Sequence, residues 1–178
     1  MLVVIAANYA HQHFGVVPDV VTMAKALGNG FPIAAFCTTN EIAASYRKPG
    51  ASTTGGNAVS AAAALAVLAY HEKHNLADRS AELGQYLKAQ LEGLSGKYPF
   101  ITEVRGAGLM LGMELLDNSR PMPEATDRIL ENMMKQCFLI GKTGINRNVL
   151  TFLPPLIISQ PDIDAMLAAL ELSLESCV

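Results

Sequence analysis

The stretch VVTMAKALGNGFP, Val20 to Pro32, sets one lysine among apolar residues directly before a Gly-Asn-Gly turn. A lysine ammonium ordinarily titrates near pKa ~10.4 and prefers water, so Lys25 is either at a wet strand end or held partly desolvated. Only the second arrangement gives chemistry: desolvation favours the neutral amine, which can attack an aldehyde to form a Schiff base. Structural lysines far outnumber catalytic ones, and spacing alone leaves both readings open. The other reactive side chains are less organised. His11 and His13 lie two apart with no acidic or cysteine partner nearby, which suits loop residues better than metal ligands. Cys37, Cys137 and Cys177 are odd in number, far apart and without C-x-x-C spacing. That pattern excludes a disulfide framework and a zinc site, fits a reducing compartment, and predicts three buried apolar side chains. The G-x-G of Gly28 and Gly30 lacks the third glycine of a dinucleotide fingerprint. Arg105, before Gly106, reads as structural.

These residues need a scaffold, and 178 residues at 51% hydrophobic content suffice for one ordinary domain or two small ones with a real core. A net charge of −3 without any run of Lys and Arg argues against nucleic acid and membrane surfaces as partners. The apolar start, MLVVIAA, has no basic flank and is far shorter than the roughly 18 residues that suggest a membrane span. It reads as a strand, Met1 to Ala6. Val20 to Ala24 and Pro32 to Thr38 read as further buried strands, and the alternation with helices implies an α/β class. Asn57 can cap a helix, AVSAAAALAVLAYHEKHN, that is apolar nearly all round and must be covered on every side. Leu76, Leu83, Leu87, Leu91 and Leu94 form the one-sided stripe of a second helix, leaving Asp78, Arg79, Glu82 and Lys88 for water. ITEVRG and LMLGMELL read as strands. Next come a helix from about Pro123 to Phe138, short strands around LIG and VLTFLPP, and a last helix. Ser159 caps that helix, Pro161 sits in its first turn, Asp162 completes a capping box, and Ile163, Met166, Leu167, Leu170 and Leu174 form its apolar face. The boundary between two lobes falls near residue 76.

Four ordered blocks carry a family resemblance. GVVPDVVTMAKALGNGFPIAA, Gly15 to Ala35, resembles the segment around the pyridoxal-phosphate lysine of the class III aminotransferases. TTGGN, Thr53 to Asn57, resembles their T-F-G-G-N loop, VRGAGLMLGMEL resembles their V-R-G-x-G-L-M-x-G-x-E-L strand pair, and PPLII is a fourth block. The nearest flavour is the alanine–glyoxylate aminotransferase 2-like branch. The resemblance implies an α/β chain made of the remainder of a fold type I large domain, residues 1–75, followed by a connector helix and a small C-terminal α+β domain, residues 76–178. It implies pyridoxal 5'-phosphate as cofactor and transamination between an amino acid or amine and a 2-oxo acid. Lys25 would be the Schiff base lysine. Thr53 would reach the cofactor phosphate of the neighbouring subunit of a homodimer, and the Gly55-Gly56 backbone offers further donors suited to phosphate oxygens. A cytoplasmic enzyme is implied, or one of an organelle matrix in a eukaryote.

Two departures from the family's pattern shape the expectation. After Leu2 to Ala6 the chain runs to Ala7-Asn8-Tyr9, where the family has D-E-V-x-x-G-F-G-R with the aspartate that pairs with the pyridine nitrogen. Asp19 belongs to the family's own P-D and is no substitute. At R-x-x-P, Thr151 of TFLPP stands where an arginine fork would grip a substrate carboxylate, with Arg147 close by in sequence. The chain therefore reads as the C-terminal part of an aminotransferase, expected to lack turnover alone. The alternative is a non-catalytic homologue that serves as a dimerisation or interaction module.

Overall fold

A computed structural model describes residues 9–48 and 50–176. The strand expected over Met1 to Ala6, and Cys177, lie outside the described residues. Contacts divide the chain into two units, one running to Ala77 and the other from Asp78 onward.

The first unit begins with a short helix, α1 (Ala10–His13), and a two-stranded antiparallel hairpin of β1 (Val20–Met23) and β2 (Ala35–Thr38). Val20 pairs with Thr38 and Met23 with Ala35. The hairpin departs from the expected buried strands. Among the described residues no third strand joins it, and Phe36 is 70% exposed. Between its strands lie a 3-10 turn over Lys25–Leu27 and the Gly28–Gly30 bend. After α2 (Asn40–Ala44), the alanine-rich segment forms α3 (Ala58–Lys73), with the Asn57 side chain accepting from the Ser60 N–H at 3.0 Å as its cap. The helix buries one stripe, Ser60, Ala64 and His71, and packs against the 3-10 turn. Its opposite face stays open within this unit, with Val59, Leu65 and Tyr70 exposed. The all-round covering expected of this helix is therefore not provided by the described residues of this unit, which α3 meets along a single stripe.

The second unit is a sheet with helices on one face. α4 (Leu76–Ser95) leads into β3 (Ile101–Ala107) and β4 (Met110–Asp117), and a short β5 (Arg120–Pro121) pairs with β4. α5 (Pro123–Lys135), β6 (Gly141–Thr143), β7 (Val149–Phe152) and α6 (Gln160–Glu175) complete it. The antiparallel order is β3-β4-β7-β6. Period-two alternation along β4 sends Leu111, Met113 and Leu115 into the core, where they meet Leu150 and Phe152 of β7. The helices cover that face with Leu87 and Leu91 of α4, Ile129 and Met133 of α5, and Ile163, Met166, Leu170 and Leu174 of α6. Each fully buried side chain of this size contributes roughly 1.5–3 kcal/mol through apolar burial. α4 comes so close to the β3-β4 turn that a Cβ on Gly84 would lie 2.2 Å from the Gly108 carbonyl group. The capping box at Ser159 and Asp162 forms as expected.

Three expectations are corrected. Cys37 and Cys137 are exposed rather than buried: Cys37 lies on β2 of the hairpin, and Cys137 adopts a left-handed φ of 66° in the turn after α5. Arg79 is half-buried rather than left to water. Its guanidinium donates to the carbonyls of Leu156, Ile157 and Ile158, and so ties the loop before α6 to α4. The helix expected to run to Phe138 stops at Lys135.

Candidate functional site

Lys25 lies one residue beyond β1, and its backbone is in the left-handed region at φ 55°. Ala24 before it is extended, so the chain reverses at the lysine itself. The Leu27 N–H donates to the Ala24 carbonyl at 3.2 Å and the Gly28 N–H to the Lys25 carbonyl at 3.1 Å. Leu27 is the buried anchor of this turn, at 4% exposure. The lysine side chain is exposed and lines an open depression with Thr22, Met23, Ala24, Ala34, Ala35 and Phe36. Small and apolar neighbours leave room for a planar group beside the amine. Of the sequence's two alternatives, the wet strand end describes Lys25 in this chain.

Thr53 lies in the bend before α3, exposed. The Gly55 N–H of its loop donates to the Ser52 hydroxyl at 3.0 Å, and the Asn57 N–H to the Thr54 carbonyl at 3.3 Å. α3, which this loop opens, is the same helix that packs on the Lys25 turn. No hydrogen bond connects Thr53 to Lys25 among the described residues, so the two are linked through elements rather than through direct contact.

The remaining candidates have structural partners. His11 Nδ1 is 2.8 Å from the Val16 carbonyl oxygen, and the His13 ring meets Phe14 edge-on. Asp19 accepts from the Thr38 hydroxyl through its main-chain carbonyl at 2.9 Å. Arg105 donates to Glu103 and, at 2.7 Å, to Glu114. That guanidinium holds the Glu114 carboxyl below its usual range, with help from the Asn148 amide at 3.2 Å. Arg105 is thus committed to carboxylates of its own sheet, in agreement with its structural reading. The Thr151 hydroxyl lies 2.9 Å from that of Thr143 on β6. Arg147, in the turn between β6 and β7, is four residues from Thr151, roughly 13 Å along an extended chain. Among the described residues no group of three or more His, Cys, Asp or Glu side chains is placed to hold a metal ion, and no helix is long and apolar enough to cross a membrane.

Two features escaped the sequence reading: the left-handed backbone at Lys25 and the Ser52–Gly55 bond. A non-glycine residue at positive φ leaves no sequence signal, whereas a serine three residues before a glycine in a TTGG loop is a legible turn signal.

Comparison with known proteins places this geometry. The aminotransferase class-III family matches residues 7–174, so the chain belongs to the class-III aminotransferase family, a family of pyridoxal-phosphate enzymes. It is 44% identical over 170 residues to the mitochondrial alanine–glyoxylate aminotransferase 2 homolog 2 of Arabidopsis thaliana, covering 93% of this chain and 36% of that protein. It is also 44% identical over 165 residues to the acetylornithine aminotransferase of Methanocaldococcus jannaschii, covering 92% of this chain and 39% of that protein. Among solved structures, a phospholyase from Arthrobacter in complex with phosphoethanolamine is 36% identical, with a TM-score of 0.91 over 95% of this chain and 41% of its own. An S-selective transaminase from Arthrobacter sp. is 28% identical, with a TM-score of 0.89 over 97% of this chain and 41% of its own. The fold is that of part of a fold type I pyridoxal-phosphate transferase, and the chain spans about two fifths of the length of these relatives.

Proposed function

We propose that this chain is part of a pyridoxal-phosphate-dependent aminotransferase that moves an amino group between an amino acid or amine and a 2-oxo acid, with Lys25 as the residue that attaches the cofactor. The observation that carries this reading is the family match over residues 7–174, a stretch that contains the Lys25 turn and its open depression; the described residues leave the amine exposed and do not supply the desolvation that favours its neutral form. The residues fit the group: the amine has no ion-pair partner among the described residues, and Ala24, Ala34 and Ala35 border it together with Thr22, Met23 and Phe36. When bound, the cofactor supplies an aldehyde and an electron sink for the substrate carbon. Lys25 Nζ would be the residue that holds it, and its amine would be the base that moves a proton at that carbon. The Thr53 hydroxyl and the Gly56 N–H offer donors to a phosphate, the Gly55 N–H being taken by Ser52, and on this reading they serve the neighbouring subunit of a homodimer. The exposed Val59, Leu65 and Tyr70 of α3 support such a partner, since an apolar face of this kind favours burial. Residues 1–75 are then the remainder of the large domain and 76–178 the connector and small domain. Exposed free thiols at Cys37 and Cys137 suit a reducing compartment, the cytoplasm or an organelle matrix.

Borohydride reduction after exposure to pyridoxal 5'-phosphate, followed by peptide mapping, tests the assignment. Label on Lys25 supports it, and label confined to Lys48, Lys73 or another lysine refutes it.

Thr151 favours a second reading of the substrate. Among the described residues the R-x-x-P position holds a hydroxyl pair, Thr143 and Thr151, while Arg105 is engaged by Glu103 and Glu114. A donor without a carboxylate beside its amine fits this position better than an α-amino acid, and the phospholyase relative was solved with one such compound, phosphoethanolamine. Calorimetric titration with phosphoethanolamine and with alanine separates the two readings.

A further inference from the structure

We propose that Leu27 and Gly28 are positioning residues for Lys25, locking its backbone in the left-handed conformation that directs its side chain into the depression beside β1 and β2; this rests on Lys25 being the cofactor lysine. Lysine carries a Cβ, so φ 55° is sterically unfavourable and persists only where neighbouring structure over-determines it. Four features of the turn do so. Leu27 is buried and ties the 3-10 turn to its unit, against which α3 packs. The Leu27 and Gly28 N–H groups close hydrogen bonds to the carbonyls of Ala24 and Lys25, on either side of the lysine's rotatable bonds. Gly28 leaves room for the returning chain: a Cβ there would lie 2.2 Å from the Phe31 carbonyl oxygen and 2.7 Å from Ile33 Cγ2. The Phe31 N–H then donates back to the Gly28 carbonyl at 3.0 Å.

Relaxing Lys25 to an ordinary backbone conformation changes the direction in which the chain leaves the turn. That either withdraws Leu27 from its buried position or swings Phe31 and Ile33 away from Gly28. The direction of Lys25 Nζ is therefore set by the burial of Leu27 and by the close approach of Phe31 and Ile33 to Gly28.

Two measurements on the full chain test this. Without cofactor, the HN–Hα coupling and carbon shifts of Lys25 should carry a left-handed signature in the wild type and in Leu27→Met, and lose it in Gly28→Ala and Leu27→Ala. With pyridoxal 5'-phosphate and borohydride, the ratio of label on Lys25 to label on exposed Lys48 should fall about tenfold in Gly28→Ala and Leu27→Ala. It should hold in Leu27→Met and in Leu170→Ala, a core substitution in the other unit. A retained signature together with an unchanged ratio in folded Gly28→Ala and Leu27→Ala overturns the proposal. A wild type that labels Lys25 no more than Lys48 overturns the cofactor-lysine assignment instead, and the coupling measurement still decides the positioning.

Discussion

Gly28 and Phe31 approach so closely that a Cβ on the glycine would stand 2.2 Å from the phenylalanine's carbonyl oxygen. Gly93, in the exposed part of α4, has nothing within 4 Å of the same imagined atom. One substitution should therefore have opposite signs at the two places. Gly28→Ala must displace backbone and should cost on the order of 1–3 kcal/mol. Gly93→Ala removes a flexible residue from a helix and should add about 0.5–1 kcal/mol. Urea unfolding of both variants decides it, and a Gly28→Ala variant as stable as wild type contradicts the close approach.

Thr53 and Ser52 are neighbours with different duties. The Thr53 hydroxyl makes no hydrogen bond to another described residue, so Thr53→Ala should change stability by less than about 0.5 kcal/mol. It should still weaken cofactor retention if that hydroxyl takes a phosphate oxygen. Ser52→Ala removes the acceptor for the Gly55 N–H and should loosen the loop by about 0.5–1.5 kcal/mol. Hydrogen exchange at the Gly55 amide, measured without cofactor, separates the two: faster in Ser52→Ala, unchanged in Thr53→Ala.

Periodicity and capping are local properties, and the elements they specify are those that could be read from residues alone. The leucine stripe of α4, the alternation on β4 and the Ser159 capping box all follow from the spacing of apolar and polar side chains. The family blocks around Lys25 and Thr53 were equally legible, because a lysine before G-x-G-F-P and a threonine in a glycine loop are local too. What depends on distant partners was not. Cys37 carries no mark that it is exposed on a hairpin that no third strand joins among the described residues, and Arg79 none that three carbonyls from residues 156–158 converge on it. The backbone sign at Lys25 is also hidden, since it arises from the return of Phe31 and the burial of Leu27 rather than from the lysine.

The Arg105–Glu114 pair makes acid stability readable. Arg105 first, then the Asn148 amide, keeps the Glu114 carboxyl below its ordinary 4.5 in the folded chain. A depressed carboxyl contributes stability that is full above the unfolded value and is lost as pH falls through the folded one. Stability should thus decline below about pH 4.5, more steeply in wild type than in Glu114→Gln. With both partners partly exposed, the difference should be ~1 kcal/mol or less. Thermal unfolding from about pH 6 to about 3 measures it. Identical acid limbs in the two proteins would show that the pair has no part in acid unfolding.

His71 should govern a second pH dependence, at milder acidity. It lies on the buried stripe of α3 at 8% exposure, and among the described residues its Nε2 has no hydrogen-bond partner. Burial lowers the imidazole below its ordinary 6.5. Between the folded and unfolded values the unfolded chain takes up a proton that the folded chain refuses. Stability is accordingly full above about pH 6.5, falls as pH drops toward the folded value, and levels off below it. His71→Leu removes the titration and the unpaired nitrogen together while keeping an apolar side chain in the stripe. Its stability should depend less on pH than that of wild type from about pH 7.5 to about 5, and be equal to or above wild type throughout. His71→Gln leaves a buried amide in the stripe and should show the same weaker dependence, but be less stable than His71→Leu by about 1–3 kcal/mol. Urea midpoints at several pH values across the range give the curves. Parallel curves for wild type and His71→Leu would show that this imidazole titrates alike in the folded and unfolded chains, and the buried stripe on α3 would need another account.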